Sequence, residues 1–103
     1  MRGAGPTAIL RLLEPGEKYG YELVQLLEQR SHGVLAMGQS TLYPLLYNLE
    51  AKGLIVSRSQ IAENGRPRRY YRLTNKGKRQ LAHDRKQWDA LSAAMGRLGV
   101  IGA

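Results

Sequence analysis

At Gly53 the sequence changes period, and the place of that change in the chain narrows the folds open to it. Leu54-Ile55-Val56-Ser57-Arg58-Ser59-Gln60-Ile61 is rich in β-branched residues and partly alternates, as a strand does. Asn64-Gly65 follows, and Asn-Gly between two strand-like runs is the strongest short-range hairpin signal. Arg66-Pro67 directly after it predicts a loop longer than two residues. In the return strand, residues 69–73, alternation sends Tyr71 and Leu73 to one face and Tyr70 and Arg72 to the other. Arg66, Arg68 and Arg69 therefore sit on or beside the hairpin tip.

Helical patterns lie on both sides of this hairpin. A first helix opens near Gly5-Pro6, spaces Ile9, Leu12 and Leu13 at helical intervals, and ends before Pro15-Gly16. A second begins around Tyr19-Gly20-Tyr21, turns Leu23, Leu26 and Leu27 to a core and stops near Gly33. The third is expected to start at Ser40 or Thr41, either of which can cap it, and to run to Lys52 with Gly53 as terminator. Pro44 then falls in its first turn, where a missing N–H costs little. Leu42, Leu45, Leu46 and Leu49 share one arc of this helix, a core-facing stripe. Ser40, Tyr43, Pro44, Tyr47, Asn48 and Ala51 occupy the opposite face, which carries no Asp or Glu. A last helix opens at Thr74 or Asn75 with Lys76, Lys78 and Arg79 in its first turns, and the tail from Gly99 onward reads as a frayed end.

The chain has 103 residues, enough for one modest core and too few for a multidomain enzyme. With no cysteine it has neither a disulfide framework nor a thiolate metal site. His32 and His83 are isolated, and there is no Gly-rich phosphate loop or paired-carboxylate motif, so neither catalysis nor a cofactor is expected. No apolar run approaches a membrane span, which makes the cytoplasm the expected location. Net charge is +8 and unevenly placed. Residues 1–51 carry four basic against five acidic side chains, whereas residues 52–86 carry eleven basic against Glu63 and Asp84 alone. Charge concentrated in this way suits a surface that tracks phosphates, because clustered Lys and Arg displace counterions from a duplex.

Three helices, a two-stranded hairpin with a basic tip and a long helix make up the winged helix-turn-helix arrangement, an α+β fold that is mainly helical. The third helix would enter the major groove, and cations at the start of the last helix, Lys76 among them, oppose its macrodipole in a way that phosphate contact would offset. Residues 1–74 form the DNA-binding part and residues 75–103 a C-terminal dimerisation helix of the same compact unit.

The residues also resemble a known family. Tyr19-Gly20-Tyr21-Glu22-Leu23, then Thr41-Leu42-Tyr43-Pro44 with Leu46, Leu49, Glu50 and Gly53-Leu54-Ile55, then Arg69-Tyr70-Tyr71-Arg72-Leu73-Thr74 with Lys76-Gly77, are similar to the PadR family of transcriptional regulators. The similarity runs from about residue 9 to about residue 79. It implies a bacterial-type repressor, dimeric through its C-terminal helix and often released by a small molecule or stress signal. Carried over, the recognition helix is the one bearing Tyr43, Tyr47 and Asn48, and the wing is residues 63–69. Members often place Lys, Arg or His where this chain has Tyr47 and Asn48, so its groove contacts are less ionic.

In the last helix Leu81, Trp88 and Met95 recur every seven residues, with Leu91 and Leu98 on intervening positions and Asp84 on the remaining one. This short seam predicts a homodimer interface, loosened beside Asp84 and supported by the first helix around Ile9 and Leu13 of either subunit. Trp88 is its expected anchor and the surface on which a flat aromatic effector would stack. Two rival readings are a non-specific architectural DNA binder, which would show equal affinity for unrelated duplexes, and a winged-helix module used for protein assembly, which would keep its partner after loss of the wing arginines.

Overall fold

The computed structural model describes residues 3–102 and contains four helices and a three-stranded antiparallel sheet. Helix α1 (Ala4–Leu13) buries Ile9, Leu10, Leu12 and Leu13. Helix α2 (Gly20–Arg30) buries Gly20, Leu23 and Leu27, and the Tyr19 N–H ahead of it donates to Glu22 Oε1 at 3.1 Å. Its C-terminus closes with paired bonds in which His32 N–H donates to Gln29 O and Gly33 N–H to Glu28 O, at 3.4 and 2.8 Å. The left-handed residue that turns the chain is His32, at φ 53°, and Gly33 follows at φ 82°.

Helix α3 (Gln39–Ala51) buries Leu42, Leu46 and Leu49, as the leucine stripe requires, with Leu45 half-buried beside them. Its start differs from the expected one. Gly38 is the capping residue, and its carbonyl accepts the Leu42 N–H at 3.0 Å. Ser40 and Thr41 are therefore helical, and Pro44 is the sixth helical residue instead of a first-turn one. Lacking an N–H, it leaves the Ser40 carbonyl without its usual partner one turn on. Both residues are exposed, so this carbonyl faces solvent on the outer side of α3.

Lys18–Tyr19 form a two-residue strand, β1, that the sequence did not signal. It pairs with β3 (Pro67–Leu73) in the register Lys18↔Tyr71 and Tyr19↔Tyr70. On its other side β3 pairs with β2 (Ile55–Ile61), from Ile55↔Leu73 to Ile61↔Pro67. The hairpin turns through a three-residue loop: Gly65 N–H donates to Ala62 O at 2.9 Å and Ala62 N–H to Arg66 O at 2.8 Å. Gly65 has φ 81°, which glycine adopts without a Cβ penalty. β3 begins two residues earlier than the sequence suggested, with Pro67 as the first strand residue, where a missing donor is tolerated.

Leu54, Ile55, Tyr71 and Leu73 join the leucines of α1 to α3 in one core. Helix α4 (Asn75–Leu98) contributes Leu81, 1% exposed, to the same core. The expected intersubunit seam is corrected at this end, since Leu81 is consumed within the chain. The Thr74 hydroxyl caps α4 by accepting the Gly77 N–H at 3.0 Å, and it donates to Gly53 O at 2.6 Å. Asp84 is also buried and turned onto α1, accepting from Thr7 Oγ1 and from Gln80 Nε2 at 2.8 Å each. Arg85 holds Glu14, the C-cap of α1, through two bonds of 2.8 and 3.0 Å. Asp84 is the last buried residue of α4. The helix then extends from the body, which accounts for a long dimension of 53 Å against 28 and 22 Å. Its end is a defined stop, not a fray: Gly99 sits at φ 80° and Val100 N–H donates to Met95 O at 2.9 Å. Ala103 lies outside the described residues.

Candidate nucleic-acid interface

All six residues expected on the outer face of α3 are exposed, Tyr47 to 74% and Tyr43 to 43%. Ser40, Pro44, Tyr47 and Asn48 form a polar and aromatic strip without a carboxylate, and Thr41 borders it. Tyr43 has a second role. A Cβ on Gly20 would come within 2.5 Å of the Tyr43 hydroxyl and 2.8 Å of its ring carbon Cζ. The ring thus lies on the bare backbone of Gly20 and fixes α3 against the start of α2.

The wing is docked onto α3 by a relay of polar groups. Glu50, near the end of α3, accepts from the Ser57 N–H at 3.0 Å and from the Ser57 hydroxyl at 2.7 Å. Arg69 Nη1 in turn donates to Ser57 Oγ at 2.9 Å. Arg69 and Tyr71 face α3 from alternate positions of β3, and Tyr43, Tyr47 and Glu50 line the opposite side of the cleft. Burial pushes the Tyr71 hydroxyl above its ordinary pKa of 10.0. That keeps it neutral beside Arg69.

Arg68 and Arg58 are held on the outer face of the sheet. The Arg68 guanidinium lies 4.4 Å from the centre of the Tyr19 ring, and Tyr19 meets Tyr70 edge to face at 5.7 Å. Arg58 sits 5.4 Å from the Tyr70 ring centre, donates through Nε to Glu17 Oε2 at 3.0 Å and pairs through Nη2 with Glu17 Oε1. This bonding holds the Glu17 carboxyl below its ordinary pKa. Arg66 projects from the loop, and its side chain has no hydrogen bond or ion pair among the described residues. Lys76 donates to Lys52 O at 2.8 Å. Its ammonium therefore caps the negative end of the α3 dipole, a reason for a cation at this position besides phosphate.

Sequence reasoning named Tyr43, Arg68 and Arg69 as contact residues but missed the groups that hold them: Gly20, Glu50, Ser57 and Tyr19. Tyr19, Gly20 and Glu50 lie inside the recognised motifs, which was the signal available for them. At the far end of α4, Trp88, Leu91 and Met95 are half-buried, Leu98 is 76% exposed and Val100 66%. A mainly apolar hollow of about 250 Å³ between α1 and α2, lined by Ala8, Leu12, Leu26 and Leu35 together with Arg11 and Arg30, does not include Trp88. Among the described residues no group of acids and histidines could hold a metal, and no helix is long and apolar enough to cross a membrane.

Residues 9–83 match the profile of the transcriptional regulator PadR-like family. A transcriptional regulator of Mycobacterium tuberculosis is 37% identical over 91 residues, covering 88% of this chain and 81% of that protein. The crystal structure of a PadR family transcription regulator from Clostridium difficile superposes with a TM-score of 0.84 at 31% identity, covering 93% of this chain and 98% of that one. Bacillus subtilis PadR in complex with operator DNA superposes with a TM-score of 0.69 at 33% identity, covering 77% of this chain and 44% of that one. This chain thus spans less than half the length of the Bacillus protein.

Proposed function

Because the chain belongs to the PadR-like family of transcriptional regulators, which are DNA-binding proteins and not enzymes, we propose that it is a repressor. It binds a pseudo-palindromic operator as a homodimer in the cytoplasm. The observation that carries this reading is the acid-free outer face of α3, held by Glu50, Ser57 and Arg69 at a fixed angle to an arginine-rich wing. A helix in the major groove needs donors, acceptors and apolar groups free of like-charge repulsion from phosphate. A wing that flanks the groove needs cations. Arg69 of the wing lines one cleft with Tyr43 and Tyr47 of α3, which supports their acting together. Ser40, Thr41, Tyr47 and Asn48 read bases, while Arg66, Arg68 and Arg69 hold the backbone. The Bacillus relative named a negative transcriptional regulator supports the sign of regulation.

The half-exposed apolar strip of α4 beyond Asp84 supports the dimer. Trp88, Leu91, Met95 and Leu98 have no cover from their own chain comparable to that of Leu81, and a strip of this kind on an extended helix suits a second copy. Trp88 stands at that boundary and would stack a flat aromatic effector. Selection of bound duplexes from a random pool, followed by footprinting, tests the reading: enriched sites should show dyad symmetry. A footprint without it removes the homodimer on DNA, and no enrichment removes sequence specificity. In sedimentation, Trp88→Ala with Leu91→Ala should shift the protein to monomer at micromolar concentration. A variant that stays dimeric places the interface elsewhere. If compounds that release DNA leave Trp88 fluorescence unchanged, the effector site is not at Trp88.

A further inference from the structure

Between the start of α2, Tyr43 of α3 and the start of β3 lies a hollow of about 320 Å³. We infer that it seats one phosphodiester of the DNA backbone, gripped jointly by the helix-turn-helix and the wing. The inference rests on the DNA-binding reading and assigns that surface a definite anion seat. No Asp or Glu lines this hollow, whose lining includes Arg68, Arg69, Tyr19, Tyr21 and Tyr43. Three other polar hollows among the described residues each include a carboxylate: Glu63 at the wing tip, Glu50 between α3 and the wing, and Glu14 with Glu17 beside β3. Charge complementarity therefore favours an anion here and nowhere else among them.

The donors are also held in advance. Stacking on Tyr19 restrains the Arg68 guanidinium, and the bond to Ser57 restrains Arg69. Seating the Tyr43 ring on Gly20 brings its hydroxyl to the hollow. Tyr21, half exposed, borders the mouth. A planar guanidinium restrained by stacking loses little further freedom when it meets a phosphate, and phenol hydroxyls add neutral donors. Tyr43 also borders the cleft beside Tyr47, so a phosphate in this seat would adjoin the face of α3 that enters the groove. The seat thereby sets the depth and register of α3, and Tyr43 serves positioning more than base reading.

The test uses the full chain and a duplex selected from the random pool, resynthesised with a single neutral methylphosphonate at each backbone position in turn. One linkage per half-site should lower wild-type affinity about tenfold or more, as loss of a charge-assisted hydrogen bond does. At that same linkage the penalty should fall below about twofold in Arg68→Gln, and Arg68→Lys should restore part of it, because the coupling belongs to the charge. Tyr43→Phe keeps the ring on Gly20 and should reduce the penalty at that linkage alone. If Arg68→Gln and Tyr43→Phe both give the wild-type profile at every linkage, the seat is refuted while DNA binding stands. If no duplex is enriched, the DNA-binding reading falls and the seat with it. Inorganic phosphate at about 1 mM, without duplex, should not saturate the protein. Arg68-dependent saturation would make this a free-phosphate site and overturn the assignment to DNA.

Discussion

Gly77→Ala and Gly96→Ala put the same methyl group into the same helix and should change stability in opposite directions. A Cβ on Gly77 would stand 2.0 Å from the Leu54 carbonyl oxygen, 3.0 Å from its carbon and 3.1 Å from Leu73 Cδ2. Ordinary C···O contacts begin near about 3.3 Å, so the first turn of α4 would have to retreat by about 1 Å from a backbone that cannot swing aside. That retreat strains the Thr74 N–H bond to Leu54 O at 3.2 Å and the Thr74 hydroxyl bond to Gly53 O at 2.6 Å. Overpacking of this kind costs about 1–3 kcal/mol and each weakened hydrogen bond about 0.5–1.5 kcal/mol, against a gain of up to about 1 kcal/mol in helix propensity. The net loss is about 1–5 kcal/mol, or roughly 5–25 °C in melting temperature for a domain of this size. Nothing lies within 4 Å of the corresponding atom at Gly96, so there the propensity gain of about 0.5–1 kcal/mol should appear unopposed. Calorimetric melts at one protein concentration measure both. A Gly77→Ala protein melting within about 2 °C of wild type would refute the packing argument.

Gly20→Ala should behave differently, because its Cβ would meet the movable end of Tyr43 at 2.5 Å. We expect under about 1 kcal/mol of lost stability in melts but a clear loss of duplex affinity by anisotropy, and unchanged affinity would remove Tyr43 from the interface. Arg66→Ala should lower the slope of log affinity against log salt by about one and leave the melting temperature alone. Arg69→Ala should lower both, since the Ser57 hydroxyl that donates to Glu50 loses the guanidinium donating to it; equal melts for the two variants would contradict the relay. The hydrogen bonds from Arg85 hold the Glu14 carboxyl below its ordinary pKa of 4.5. Its contribution is therefore complete above that value and lost as pH falls through the lower folded one. The pair is largely exposed, so Glu14→Gln should flatten the acid limb of stability by well under about 1 kcal/mol, and urea midpoints that track wild type down to pH 3 would refute it.

The elements that were legible in the sequence are those whose signal is local. Four leucines within eight residues of α3 leave it one buried face, and Asn64-Gly65 between strand runs leaves one place for the turn. β1 was not legible, because two residues carry no period and Lys18–Tyr19 is a strand only because β3 offers an edge. The start of α3 was misread for a related reason. Ser40 and Thr41 are good caps in isolation, but the helix starts earlier at Gly38, which has no side chain to cap with. Charge counting located the basic third of the chain without distinguishing Arg58, engaged by Glu17, from Arg66, which projects freely. A heptad stripe records that a face is apolar and not what covers it: Leu81 is covered by its own chain, whereas Leu98 is left exposed.

This division of α4 leads to a prediction about operator geometry. Its first turn is locked to the end of α3 through Gly53, Leu54 and the Lys52 carbonyl, and α4 continues from that point as one unbroken helix to Leu98. Among the described residues no break in α4 separates its first turn, bonded to the end of α3, from the apolar strip, so in a homodimer the two-fold axis would fix both α3 helices as rigid attachments. Trp88 and Leu91 lie fourteen and seventeen residues beyond Thr74, about 21–26 Å at 1.5 Å per residue. If the axis passes near them, the two starts of α4 can be at most about 40–50 Å apart, and any crossing of the helices brings them closer. One turn of B-DNA, about 34–36 Å, falls inside that limit, whereas two turns, about 70 Å, exceed it by more than the width of a helix. Half-site centres should therefore lie one helical turn apart, and hydroxyl-radical footprints on the selected duplexes would show it as protections on one face with that spacing. Protections centred two turns apart, with the protein dimeric, would mean that the axis lies beyond Leu98 or that α4 does not carry the dimer.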